Sequence, residues 1–310
     1  MKAAVLPELG VPEYGEFPAP SPNGGQAVVQ VGAAGLNPVD IAIAAGVFYA
    51  GVPPVPSVAG REGVGVLDGT RVYFDAPIPP YGSMAELALI DPAAAYPLPD
   101  ALDDGVAIAL GIAGLAAWLA LDWRARMKAG EHVVVLGASG VLGQIAVQAA
   151  RHLGAGRVVA AARSQDGLEL ARALGADATV GIGEPGELAS ALRDAADGRI
   201  DVVVDPLFGE PLAAAAEAAS FRARLVTLGT SAGQTSTLSS AAIRGKMLDI
   251  LGHSNVYAPP EVKREAYLRM AELAVAGGLR VEVERIPLAE VRAAWERLAA
   301  SPHRKLVLVP

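Results

Sequence analysis

Two textures of apolar and polar positions divide the chain. From Asp103 onward, compact apolar runs alternate with stretches whose apolar residues recur every three or four positions. Residues 133–136, 158–162, 179–182, 201–205, 224–228 and 250–251 predict short buried strands. The segments between them predict helices, one carrying Ile145, Ala149 and Leu153, the others over 166–174, 186–196, 210–219 and 239–248. Strand and helix in regular turn predict an α/β fold, a doubly wound parallel sheet with right-handed crossovers. A long helical pattern over 103–127, broken near Gly111 to Gly114, leads into its first strand.

Residues 1 to about 107 read differently. Prolines and glycines are dense (Pro18, Pro20, Pro22, Gly24, Gly25, then Pro53, Pro54, Pro56), and short β-rich runs lie between them at 27–31, 64–67, 71–74 and 85–90. That predicts a second, mostly β domain. One helix start stands out there: Asn37 suits an N-cap and Pro38 the first helical position. Beyond Pro259 and Pro260 the pattern predicts a helix over 261–276, a strand over 280–286, a helix over 288–300 and a final strand over 305–309.

Composition narrows the chemistry. Hydrophobic residues make up 52% of the 310, yet much of this is alanine, and no apolar run approaches the ~20 residues of a membrane span. The first 15 residues lack a long apolar core, so no secretory leader is expected. A net charge of −8 argues against general nucleic-acid affinity. With no cysteine, thiolate catalysis, disulfides and cysteine-based zinc sites are excluded, and a reducing, cytoplasmic setting is expected.

The most informative stretch is 137–143, where Gly137, Gly140 and Gly143 follow one predicted strand and open a helix. Glycines there let the backbone turn tightly against a pyrophosphate, and the helix start offers it free N–H groups. Gly137, Ser139, Gly140, Val141, Leu142 and Gly143 are therefore candidate cofactor contacts. Twenty residues beyond Gly143, where NAD-binding units carry an acid, stands Arg163, followed by Ser164. A guanidinium suits a 2′-phosphate, which a carboxylate would repel, so the cofactor expected is NADP(H). The alternative is a solvated strand-end arginine. Gly229 and Thr230 follow another strand and belong to the same ligand edge.

This order of parts resembles the medium-chain dehydrogenase/reductase superfamily. The segments LNPVD from Leu36, GREGVGV from Gly60, GLAAW from Gly114, the stretch 136–148 and HRKLVL from His303 are similar to its quinone oxidoreductase branch. The resemblance implies a GroES-like catalytic domain from 1–107 and 259–310, a Rossmann NADP-binding domain over 108–258, and nicotinamide and substrate in the cleft they share. It implies a homodimer, through the strand near Asp249, and a small carbonyl or quinone substrate, with neither membrane nor nucleic acid as partner. The positions holding catalytic zinc in the alcohol dehydrogenase branch read Asn37, Arg61 and Ile112, a set that cannot bind the ion. In the zinc-free reductases the residue matching Asn37 faces the substrate, where its amide could donate to a developing enolate oxygen; the other role open to it is the helix cap. Tyr49 is the second candidate donor, one position after the tyrosine usual in the family, where this chain has Phe48. Asp40 and Arg61 are expected to pair structurally, and Glu62 to serve internal hydrogen bonding. Ala116 stands in place of a usual threonine beside the nicotinamide.

Three functions fit: an NADPH-dependent, zinc-free reductase of quinones, enones or enals; a pathway-specific oxidoreductase or cyclase on a natural-product intermediate; or an NADPH-binding regulatory or structural protein without turnover.

Overall fold

The computed structural model describes residues 1–183 and 186–310. The chain divides into two units, Gly114–Ala258 and Met1–Ala113 with Pro259–Pro310.

The first unit is built on six parallel strands, in the spatial order Ala178–Gly181, Arg157–Ala162, His132–Leu136, Val202–Asp205, Arg224–Thr227 and Asp249–Gly252. The strand first in sequence thus lies between the second and the fourth, and strand order reverses beside it. Val133, Val134, Val135 and Leu136 are all fully buried, as are Val202, Val203 and Val204. Helices cover both faces of such a sheet, so its strands are continuous apolar runs with no polar alternation. One face packs Val134, Leu136, Val159, Val203 and Leu225 against Leu188, Leu192, Leu212 and Ala215 from the helices Leu188–Ala195 and Gly209–Ala218. Each such side chain contributes roughly 1.5–3 kcal/mol by leaving water.

The second unit is mostly β. Its larger sheet runs Val283–Pro287, Lys305–Val309, Ala27–Gly35, Glu62–Leu67, Thr70–Asp75, Ala95–Pro97, with Leu87–Ile90 also on Ala27–Gly35. A smaller sheet joins Glu13–Glu16, Lys2–Leu6 and Ser57–Val58. The terminal strand pairs antiparallel with Ala27–Gly35, placing Val307 opposite Gly35 and Leu308 opposite Ala34. Residues more than 270 apart in sequence so become neighbours, and Lys305, at the head of that strand, lies inside the unit at 2% exposure.

The helical stretch Asp104–Arg124 is long and apolar enough to cross a membrane, which corrects the sequence expectation on this point; 72% of its most apolar window is buried in the protein, as in the core helix of a globular fold. Its regular geometry fails at Gly111, with φ −66° and ψ −115°. A Cβ at this glycine would strike Glu62 and the Tyr73 ring.

Candidate active site

In the Gly114–Ala258 unit the sequence-predicted cofactor residues gather at one edge of the sheet, because each follows the carboxyl end of a parallel strand. Gly137 turns the chain out of its strand with φ +62°, a conformation that favours glycine. The helix Val141–His152 then begins at Gly140 with no side chain capping its N-terminus. Of the other helices in this unit, Gln165–Ala173 is capped by Ser164 and Ser240–Lys246 by Ser239, whereas Leu188–Ala195 and Gly209–Ala218 also start without a side-chain cap. A Cβ at Gly143 would lie 2.6 Å from Cα of Ala138 and also collide with the Gly137 carbonyl. Gln144 Nε2 donates to the Ser139 carbonyl at 2.8 Å and pins the turn from inside the helix. Register places Ala161 opposite Leu136, which brings the end of the second strand beside this turn.

Arg163 follows that strand. It is exposed and makes no hydrogen bond or ion pair with any described residue. The Ser164 hydroxyl accepts from Gly167 N–H at 3.2 Å, so its oxygen serves the helix cap while its own hydrogen stays available. Gly229 sits where a Cβ would come within 2.6 Å of the Pro206 carbonyl, and Thr230 is exposed just beyond. Sequence reasoning missed Asp205, at the end of the central strand. Its Oδ1 accepts from Leu207 and Phe208 N–H, both at 2.9 Å, and shapes the adjoining loop, while burial raises its pKa. The available signal was an acid closing the apolar run DVVVD. Phe208 adopts φ +58° with ψ −157°, a strained pair for a residue with a side chain.

Open N–H groups at a twelve-residue helix, glycines where a Cβ would fill the cradle and an unpaired guanidinium one strand away fit a phosphorylated dinucleotide.

In the other unit Asn37 heads the helix Pro38–Ala44 and is 4% exposed. Its Nδ2 donates to Glu62 Oε1 at 2.8 Å and to Asp40 Oδ2 at 3.3 Å. Lys305 Nζ donates to Asn37 Oδ1 at 2.5 Å, which fixes the orientation of the amide. Both amide hydrogens are used inside the unit, so the donor role expected of Asn37 gives way to support of this network. Glu62, fully buried, also accepts from Lys305 Nζ at 2.7 Å, Tyr73 hydroxyl at 3.0 Å and Ile112 N–H at 2.6 Å. Its expected role in internal hydrogen bonding is what the geometry displays. Lys305 and Tyr73 were not singled out from sequence; a lone lysine opening the run KLVLV was the available signal.

Asp40 is buried, and its Oδ1 has no hydrogen-bond partner. Burial, opposed by the Asn37 backbone N–H and reinforced by the Glu62 charge, pushes its carboxyl up to about 7. The expected pairing of Asp40 with Arg61 does not form: no ion pair links them among the described residues. Both instead line a pocket of about 220 Å³ with Phe48, Tyr81, Ile43 and Pro80. Tyr49 lies outside this lining, 67% exposed, with its ring 4.4 Å from that of Phe48. Tyr81, unmarked in the sequence reading, stands in the pocket wall where a tyrosine was expected from residue 49.

The family described as zinc-binding dehydrogenase matches residues 141–272. Rat quinone oxidoreductase is 31% identical over 244 residues, spanning 74% of this chain and 73% of that protein. The quinone oxidoreductase of Thermus thermophilus, solved alone and with NADPH, is 31% identical over the whole of both chains, with a TM-score of 0.82. One component of the Mycobacterium tuberculosis phenolphthiocerol/phthiocerol polyketide synthase is 29% identical over 93% of this chain and 14% of its own length. The identity to the rat enzyme over most of both chains and the full-length structural similarity agree, and the chain belongs to the quinone oxidoreductase branch of the medium-chain dehydrogenase/reductase superfamily.

Proposed function

We propose that this protein is a zinc-free reductase that uses NADPH to reduce quinones or α,β-unsaturated carbonyl compounds. That it is an oxidoreductase, with NADP(H) as cofactor, follows from its family. The uncapped start of helix Val141–His152, with the unpaired Arg163 one strand away, is the observation that carries the reading. The N–H groups of Val141, Leu142 and Gly143 hold the pyrophosphate; Gly137, Ser139 and Gly140 shape the turn beneath it. Arg163 and the Ser164 hydroxyl take the 2′-phosphate. Gly229 and Thr230 line the same edge with backbone and a small side chain.

Bound NADPH supplies the hydride. Hydride addition to a conjugated acceptor places negative charge on an oxygen remote from the carbon attacked, where hydrogen-bond donors suffice to stabilise it. The zinc-free reading rests on the donor set. Ile112 and the Arg61 guanidinium offer no lone pair to a cation, and the Asn37 amide oxygen accepts from Lys305. In the other unit Phe48 and Tyr81 flank the pocket with flat apolar surfaces suited to a planar acceptor. The edge strand Asp249–Gly252, with Ile250 and the nearby Met247 exposed, suits sheet continuation across a two-fold axis, and the cysteine-free composition suits a cytoplasmic setting.

Steady-state NADPH oxidation with a panel of quinones, enones and enals tests the reading. Tight NADPH binding with no acceptor-dependent oxidation sinks it and favours a regulatory protein. A pathway-specific enzyme is the second reading, favoured by the match to a segment of a polyketide synthase; turnover confined to elaborate natural-product intermediates would select it.

A further inference from the structure

Five arginines are half-buried among the described residues: Arg61, Arg71, Arg151, Arg157 and Arg224. Four have a carboxylate partner: Asp104 for Arg71, Asp177 for Arg151, Asp197 for Arg157 and Glu131 for Arg224. That is the ordinary way to offset the cost of withdrawing a guanidinium from water. The Arg61 guanidinium alone has no hydrogen bond or ion pair with any described residue; the residue's only such bond is through its backbone carbonyl, which accepts from Ala76 N–H at 2.8 Å. It is also the one of the five that lines the pocket of Phe48, Tyr81 and Asp40.

We infer that Arg61 is a specificity-determining residue: it selects conjugated acceptors that carry a carboxylate, binding that group through the guanidinium while the acceptor's planar body lies against Phe48 and the pocket prolines. The inference rests on the reductase reading and names the substrate class within it. The pocket, about 220 Å³, is smaller than the roughly 300–1,000 Å³ of sites for drug-sized ligands, which suits a one-ring acceptor. Only Asp40 and Arg61 among its lining residues carry charge.

Asp40 decides how an anion is tolerated there. With its carboxyl pushed up to about 7, it is partly protonated at neutral pH, and in that form opposes no carboxylate. The groups facing it are Asn37 on its own helix, Glu62 and Lys305. Glu62 and Lys305 are joined at 2.7 Å, so their charges offset one another. An arriving carboxylate neutralises the Arg61 guanidinium and places a negative charge in the pocket that Asp40 lines, which raises the Asp40 pKa further. Binding therefore takes up protons, and affinity falls as pH rises through about 7.

The test pairs 3-benzoylacrylate with its methyl ester, which share one enone skeleton and differ in the charge. Wild-type kcat/KM with NADPH should favour the acid by about tenfold, the scale of one charge-assisted hydrogen-bonded pair. Arg61→Gln should erase the preference by raising KM for the acid far more than KM for the ester; Arg61→Lys should keep part of it. Calorimetry with the non-reducible 3-benzoylpropionate, in two buffers of different ionisation enthalpy, should show proton uptake near pH 7 and loss of binding in Arg61→Gln. If the ester is reduced as well as the acid, and Arg61→Gln changes both alike, the inference is overturned while the reductase reading stands. If neither compound is reduced but 3-benzoylpropionate binds in an Arg61-dependent way, the pocket assignment stands and the reductase reading fails. If 3-benzoylpropionate binds neither wild type nor Arg61→Lys, the pocket assignment fails.

Discussion

Replacing Lys305 by methionine tests the buried network most directly. Lys305 Nζ is the cation of a cluster in which Glu62 is fully buried and Lys305 is 2% exposed. It donates to Glu62 Oε1 at 2.7 Å and to Asn37 Oδ1 at 2.5 Å. Methionine fills similar volume but removes both donors. Glu62 keeps three neutral donors, Asn37, Tyr73 and Ile112 N–H, without a compensating charge, and the Asn37 carbonyl oxygen loses its partner. Breaking one side of a buried pair costs about 3–5 kcal/mol, and the orphaned amide oxygen accounts for about 1–3 of it. At about 2–4 °C per kcal/mol for a unit of this size, the unit holding the network should melt roughly 6–20 °C lower. The double variant Glu62→Gln/Lys305→Met removes both charges and leaves an amide that accepts from Tyr73 and, once the Asn37 amide turns its freed oxygen toward it, donates to Asn37 Oδ1, so it should regain more than half of the loss. Urea midpoints followed by circular dichroism and calorimetric melting give both numbers. A single-variant loss below about 1 kcal/mol, or additive losses in the double variant, would refute the reasoning, because an ionised buried pair must couple.

Three further outcomes follow from the geometry. The Asp40 carboxyl is raised on folding from 3.8 to about 7, so its contribution is complete at low pH and is lost as pH rises through about 7; stability should fall across that window by at most about 1.4 kcal/mol per pH unit, and Asp40→Asn should flatten the slope. A slope unchanged in Asp40→Asn assigns the effect elsewhere. Arg163→Glu should raise the Kd for NADPH by about ten- to a hundredfold and barely change that for NADH, since the guanidinium serves only the extra phosphate; equal weakening of both by fluorescence titration removes Arg163 from that role. At Phe208, with φ +58°, glycine should be more stable than alanine by about 1 kcal/mol, because both lose the ring's packing but only glycine relieves the backbone; alanine equal to glycine in urea denaturation counts against strain there.

The parts legible in the sequence are those written in neighbouring residues. A run such as Val133 to Leu136 declares a strand buried on both faces, because its pattern needs no partner to be read. Gly137 with φ +62° and Gly143, whose Cβ would strike the turn, mark the cofactor edge because a tight turn constrains residue type locally. The place of Arg163 just after the second strand was legible for the same reason, by its spacing from that turn. The first strands escaped notice: Lys2–Leu6 and Glu13–Glu16 are short, and the second is exposed along most of its length. Strands of that kind gain their definition from pairing rather than from their own pattern.

Tertiary structure decided what the polar side chains do. From sequence Asn37 could cap a helix or face a substrate; the arrival of Lys305, 268 residues later, turned its amide inward. Glu62 became the centre of a network joining Asn37, Tyr73, Ile112 and Lys305, four positions with no shared local pattern. Arg61 and Asp40 were expected to pair, yet the fold put both into a pocket wall and left the guanidinium unmatched. Backbone conformation answers largely to neighbours in sequence, whereas a buried charge answers to whatever the topology brings within a few ångströms of it. The scaffold and the cofactor edge therefore lay in the sequence alone, and the partners of the buried charges lay in the fold.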